Sequence, residues 1–325
     1  MKLKQTITVN KIEEPTLLYA YTNGNVNVEI YNDGTKTREW PDEEKPWAEY
    51  PESADIKITN FCNLGSGPGG LNICKYCHEQ SNTLGKHADL EVIKKIWKTQ
   101  KPGTELAIGG GNPLSHPDIK DFLETIKDYG IISNVTMNIL HMKEYAHTIK
   151  SFQDEKLLYG LGISYRGPAS LKQLPDIIEY KNVVFHLILG VHNLDDCKAV
   201  IEWSKARNIK PKLLLLGYKQ FGNGIGYYNP ALQLELDKWK NEYIQKLFTI
   251  DGIIASFDNL GLKQLHLQNQ VSKEIWDENF MGEDGSSTFY INAVDREVAR
   301  TSTSIDRFKF DGSEDIRDLF AKVKV

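Results

Sequence analysis

Cysteine is scarce in this chain: four in 325 residues, three of them between positions 62 and 77. So few, so closely set in so long a chain, exclude a disulfide framework and suit metal ligation better. No apolar run approaches the ~18 residues that cross a bilayer, and no signal-peptide pattern follows Met1-Lys-Leu-Lys, so a cytoplasmic protein is expected. Basic excess is missing too. Lys and Arg number 39 against 44 Asp and Glu, a net charge of -5, which weighs against duplex nucleic acid as a partner and leaves at most a local basic groove. There is no internal repeat beyond a strand and helix rhythm, and no low-complexity tract.

That rhythm runs from Asp55 to Asn259. Short β-branched or leucine-rich runs at 55–60, 105–110, 132–138, 159–165, 183–190, 212–217 and 253–258 alternate with amphipathic runs at 89–100, 116–129, 142–155, 169–181, 194–207 and 230–250. Asp89, Ser115, Asn193 and Asn229 before Pro230 are helix starts, and Gly130 is a stop. Repeated βα units with right-handed crossovers predict an α/β fold, a partial (β/α)6 TIM-like barrel, with chemistry at the carboxyl ends of its strands. The expected division is an N-terminal β-hairpin extension at 1–52, the barrel at 53–260 and a C-terminal extension with a hairpin at 261–325. The two sets of hairpins are expected to form a small sheet beside the barrel and, with the long cysteine loop, to supply its cover. The glycine-rich segments 65–70 and 222–226 read as loops.

Cys62, Cys74 and Cys77 fall in one loop directly after the first strand. Three sulfur ligands leave one position of a metal or cluster site open, which is what distinguishes catalytic from structural sites. A zinc site closed by His78, in a zinc-stabilised binding protein on a degenerate barrel, is the competing reading; second-shell hydrogen bonding is the other role open to His78 and Glu79. Cys197 recurs with Val200 and Ile201 at helical spacing and reads as packing, with a reactive thiol as the alternative. After the second strand comes Gly109-Gly-Gly-Asn-Pro113, a glycine turn that lets backbone approach a ligand closely.

With these two motifs at the ends of successive strands, the sequence over roughly 53–260 resembles the radical S-adenosylmethionine (SAM) enzymes. Their usual Cys-x3-Cys-x2-Cys stands here with eight extra residues in the first gap, and their Gly-Gly-Glu-Pro strand end stands as Gly110-Gly111-Asn112-Pro113. The resemblance implies a [4Fe–4S] cluster on Cys62, Cys74 and Cys77, with SAM on the fourth iron and Tyr76 near its adenine. It also implies reductive cleavage of SAM to a 5′-deoxyadenosyl radical that takes a hydrogen atom from substrate, and an electron donor such as flavodoxin or ferredoxin. The longer first gap requires a looped-out glycine segment, and Asn112 puts a neutral amide where the family has a carboxylate. By the same resemblance, Asn138 and Ser164 match positions that contact the SAM ribose or carboxylate, and Leu216 and Gly217 lie where backbone meets adenine.

Strand alternation separates a small or polar set facing the lumen from an apolar set facing the helices. The first set is Ala107 and Gly109, Thr136 and Asn138, Gly162 and Ser164, with Lys57 and Thr59 on the first strand. His186, flanked by Phe185 and Leu187, points inward as either a hydrogen-bonded core histidine or a substrate contact; Ser256 and Asp258 line the last strand. These three are the expected catalytic residues. In the helix at 89–100, Val92, Ile93, Ile96 and Trp97 are the buried face and the lysines the solvated one. No spare cysteines exist for an auxiliary cluster. A segment from Phe289 to Ser304 loosely resembles bacterial and phage radical SAM proteins, which favours a small molecule or nucleotide as substrate ahead of a peptide-modifying role.

Overall fold

The structure, a computed structural model, describes residues 15–32, 34–41 and 43–325. The first fourteen residues of the N-terminal extension, and Asp33 in the turn expected around Asn32 and Gly34, lie outside the described residues. Strands β1 (Leu17–Asn23), β2 (Val26–Tyr31) and β3 (Lys36–Glu39) form an antiparallel three-stranded sheet turned at Gly24.

All seven expected strands are present: β4 (Ser53–Thr59), β5 (Glu105–Gly110), β6 (Ile132–Asn138), β7 (Gly160–Ser164), β8 (Val183–Ile188), β9 (Lys212–Leu216) and β10 (Ile254–Phe257). They pair in parallel in chain order. Alternation does what it predicts. Leu106, Ile108, Val135 and Ile163 are fully buried against helices, whereas Ala107, Gly109, Thr136, Asn138 and Ser164 line a cavity on the other face.

The helices α1 (Leu90–Trp97) and α4 (Leu194–Lys205) start at the expected Asp89 and Asn193, α2 (Ile119–Asp128) starts after Asp118 rather than Ser115, which lies in a preceding 3-10 turn, and α3 spans Ala146–Asp154. Asp89 accepts from the Glu91 amide, Asn193 forms a capping box with Asp196, and Gly130 ends α2 at φ +74°. Lys94 departs from the solvated face expected of it. It is buried between α1 and α2, bonded to Glu91 and Asp121. Cys197 is wholly buried on α4, as packing requires.

The helix expected at 169–181 is a single 3-10 stretch, Pro168–Gln173. Pro175 forbids its continuation by removing an amide donor and forcing Leu174 into extended backbone. In the 222–226 loop, Asn223–Tyr227 coils into a short helix, α5, followed by α6 (Pro230–Lys238), α7 (Ile244–Phe248) and α8 (Asn259–Leu265).

The flanks do not form one small sheet. In the C-terminal extension β11 (Thr288–Asn292) pairs in parallel with β4 on the side away from β5, and β12 (Glu297–Ala299) and β13 (Phe308–Lys309) extend the main sheet to ten strands. The N-terminal sheet instead packs Val26, Val28 and Ile30 on Ile132, and ties Lys36 to Glu105 and Arg38 to Glu52. These contacts lie at the amino ends of β4 to β6, opposite the cysteine loop, so this sheet is no cover for the cavity.

Candidate active site

The strand end Thr59-Asn-Phe61 delivers the chain into the cysteine loop, and the loop folds on itself. Leu71 donates to the Asn63 carbonyl at 3.0 Å and Ile73 to that of Leu64 at 2.9 Å, so the extra residues loop out through Gly67 and Gly69, both at positive φ. Beyond them the chain returns Cys74 and Cys77 beside Cys62, and all three thiols line one cavity of about 670 Å³. This size is that of a small-molecule site.

The glycines at the end of β5 serve a close approach within the chain as well. The Gly111 amide donates to Thr59 O at 2.8 Å and the Asn112 amide to Phe61 O at 2.7 Å, and a Cβ on Gly111 would stand 2.0 Å from Phe61 O. What these glycines approach is the root of the cysteine loop itself. Gly109, by contrast, faces open space in the cavity. Gly110 and Gly111 also line it, but Asn112 and Pro113 are buried outside the lining, and Asn112 Oδ1 has no hydrogen-bond partner.

The other expected residues converge on the same space: Tyr76, Asn138, Ser164, His186, Leu216, Gly217, Ser256 and Asp258. Thr59 does not; its hydroxyl meets His87 Nδ1 at 2.9 Å. Asn138 lies 3.6 Å from Cys74 Sγ through its amide nitrogen. His186 sits over Gly162, where a Cβ would collide with the imidazole. Asp258 Oδ1 accepts both the Gly217 and the Gly261 amide at 2.7 Å, capping α8 and fixing the Leu216-Gly217 backbone.

Arg166, Lys219, Tyr290 and Ser302 line the cavity without having been singled out for it in the sequence, whereas Glu79 takes the hydrogen-bonding role expected of it. Arg166 donates to the Tyr76 hydroxyl and, at 2.9 Å, to Ile73 O, with its guanidinium 5.0 Å over the Tyr76 ring. Glu79 binds Lys57 at 2.9 Å, accepts from the Tyr290 hydroxyl at 3.0 Å and lies 3.3 Å from His78 Nε2. Tyr290 and Ser302 bring the C-terminal extension into the cavity wall. The available signal was position: Arg166 and Lys219 follow the carboxyl ends of β7 and β9, where parallel sheets carry their chemistry.

Burial pushes the Cys74 thiol up to about 11, against the pull of Arg166 and with help from the charges of Cys77 and Cys62; burial raises Cys62 as well. Thiolates at Cys62 and Cys74 are therefore favoured only when a strong cation draws out the protons. Among the described residues no three His, Cys, Asp or Glu gather closely enough to hold a single ion. His78 turns to Glu79 and Lys219 rather than completing a tetrahedral set. A cluster takes each thiolate on a different iron, so a wider spacing of sulfurs suits it.

No family model matches the chain. In fold it is similar to Streptococcus suis SuiB bound to S-adenosylmethionine, with TM-score 0.57 and 15% identity over 85% of this chain and 68% of SuiB. The likeness to SuiB is one of fold. SuiB bound to the precursor peptide SuiA gives TM-score 0.58 at 14% identity, covering 84% of this chain and 65% of that one. A probable GTP 3′,8-cyclase of Methanococcus maripaludis is 31% identical over an alignment of 101 positions that covers 29% of this chain and 31% of that protein. The chain thus matches under a third of the curated relative's length. No helix among the described residues is long and apolar enough to cross a membrane.

Proposed function

We propose that the protein is a radical SAM enzyme acting on a small-molecule or nucleotide substrate, on a partial (β/α)6 barrel frame. Cys62, Cys74 and Cys77 would hold a [4Fe–4S] cluster, and Tyr76, Gly110, Gly111, Asn138, Ser164 and the Leu216-Gly217 backbone would hold SAM. Bound there, the two supply one-electron cleavage of a carbon–sulfur bond, giving a 5′-deoxyadenosyl radical for hydrogen abstraction. The observation that carries this reading is the convergence of Cys62, Cys74 and Cys77 on one cavity whose other walls include Asn138, Ser164, His186, Ser256 and Asp258.

The chain's own residues bind, orient and exclude water. Arg166 clamps Tyr76 and the Ile73 carbonyl, fixing the approach to Cys74. Asn112 and Pro113 support the turn from behind. His186 is held neutral by burial, its pKa pushed down to about 4, and so offers substrate a neutral donor and acceptor. Ser256 faces the same space, and Asp258 positions Gly217. A cytoplasmic flavodoxin or ferredoxin would supply the electron.

Anaerobic reconstitution is expected to load about four irons per chain and, with reductant and SAM, to yield 5′-deoxyadenosine. Cys74→Ala should abolish that product; full retention would overturn the assignment, as would a colourless protein carrying one zinc. The likeness to SuiB bound to a precursor peptide favours a second reading, peptide modification. A cavity of about 670 Å³ would then admit a single side chain rather than a folded segment.

A further inference from the structure

The cavity has a charged end that the cysteines and the expected SAM contacts do not use. Lys219, in the loop after β9, lines the cavity with its ammonium donating to Ser302 Oγ at 2.9 Å and 3.5 Å from His78 Nε2. Among the described residues it makes no ion pair with any carboxylate, whereas its neighbour Lys57 is neutralised by Glu79 at 2.9 Å. With no carboxylate in pairing reach, and only the longer-range charges of Asp55 and Asp258 acting on it, this ammonium is stabilised by an anion that comes into direct contact with it.

Two further side chains face this end unengaged. The Asp55 carboxylate, on β4, makes no hydrogen bond or ion pair among the described residues. The His186 ring has no hydrogen-bond partner there either. Lys219 acts electrostatically on both, and on Asp258. Asp55 stands outside pairing reach, so its charge repels an incoming anion without blocking Lys219.

We propose that Lys219 is the anion anchor of the substrate, which therefore carries a carboxylate or phosphate group. Ser302 orients the ammonium, and neutral His186 donates a second hydrogen bond to the same group. This rests on the radical SAM reading in taking the charged side of the cavity, around Lys219 and His186, as the side that meets substrate.

The test is calorimetric titration of reconstituted, SAM-saturated enzyme with inorganic phosphate and, separately, acetate at low ionic strength. SAM occupies its own site, so its carboxylate does not compete as an unmeasured ligand. At least one anion is expected to bind at a single site. Lys219→Met should weaken it about tenfold or more, the scale of one charge-assisted hydrogen bond. Lys219→Arg should retain binding, which separates loss of charge from loss of fold, and Asp55→Asn should tighten it by removing the opposing carboxylate.

Binding of phosphate alone identifies a phosphorylated substrate, binding of acetate alone a carboxylate, and binding of both a small unselective anion site. No binding of either, or wild-type affinity in Lys219→Met, overturns the proposal. The two readings fail separately. Anion binding without 5′-deoxyadenosine formation would sink only the radical chemistry, and 5′-deoxyadenosine formation with unchanged binding in Lys219→Met only the anchor.

Discussion

Gly109 and Gly111, two glycines of one motif, are expected to behave in opposite ways. A methyl group on Gly111 would stand 2.0 Å from the Phe61 carbonyl oxygen and 2.7 Å from its carbon, both backbone atoms that cannot swing aside. Restoring ordinary contact at about 3.4 Å takes a shift of more than 1 Å between the β5 turn and the root of the cysteine loop. That shift breaks the Gly111-to-Thr59 and Asn112-to-Phe61 hydrogen bonds. Two lost backbone bonds at about 1 kcal/mol each, plus ~1–3 kcal/mol of overpacking, put Gly111→Ala at about 3–5 kcal/mol. This is a large share of a typical folding free energy. Gly109 has nothing within 4 Å of its missing Cβ, so Gly109→Ala should leave stability unchanged or raise it by ~0.5 kcal/mol, while intruding on the cavity. Urea denaturation of both variants, paired with iron per chain after anaerobic reconstitution, reads the outcome. Gly111→Ala should fall in both measures, and Gly109→Ala should keep its iron and bind SAM more weakly. Wild-type stability and full iron in Gly111→Ala would refute the close-approach argument.

Glu79→Ala should cost ~3–5 kcal/mol in a denaturation midpoint, because it strands the buried Lys57 ammonium and the Tyr290 hydroxyl. The double variant Lys57→Met with Glu79→Met should recover much of that loss; no recovery would mean that packing, not the unpaired charge, was being measured. Burial opposes the ionised form of Glu79, but the His78 hydrogen bond and the Lys57 ammonium outweigh it, so its pKa lies below the usual carboxylate range. The resulting stability is present above about pH 4.5 and lost as pH falls below it. His192 gives a second acid-labile element. Its Nδ1 accepts the Ile188 amide at 2.9 Å, which a protonated ring cannot do, and burial pushes its pKa down to about 4. The folded ring refuses a proton that the unfolded one takes, so stability falls between pH 6.5 and about 4, by at most ~3 kcal/mol. His192→Asn should flatten that part of the pH profile, and an unchanged slope would exclude the residue. Cys197, its thiol pushed up to about 12 by burial, should resist alkylation in folded, cluster-free protein under conditions that label Cys74 and Cys77.

What the sequence made legible was local. Seven strands and the caps at Asp89, Asn193 and Asn229 follow from period, side-chain shape and short-range hydrogen bonding, which a linear string contains in full. The inward set at Ala107, Thr136, Ser164 and His186 follows from the same two-residue period, as does the looping-out of 65–70 from its glycines. The helix misread at 169–181 had the apolar spacing, but Pro175 decides against it, because one missing amide and one steric clash outweigh several weak propensities.

The cavity's last wall was not legible, because it is made by pairing across the whole chain. β11 lies some 230 residues after β4 and had the same signature as any hairpin strand. Only in the folded sheet, where Tyr290 registers with Asp55 and Asn292 with Lys57, does the C-terminal extension face the site and set Tyr290 against Glu79. The same holds for the cations. A lone Lys219 or Arg166 after a strand carries no periodic signal, and its meaning comes from which carboxylates the fold leaves out of its reach. The sequence motif thus names where sulfur gathers, while the substrate end is specified by long-range strand order. Variants in β11 should therefore alter substrate binding more than cluster loading, although the two regions share one cavity.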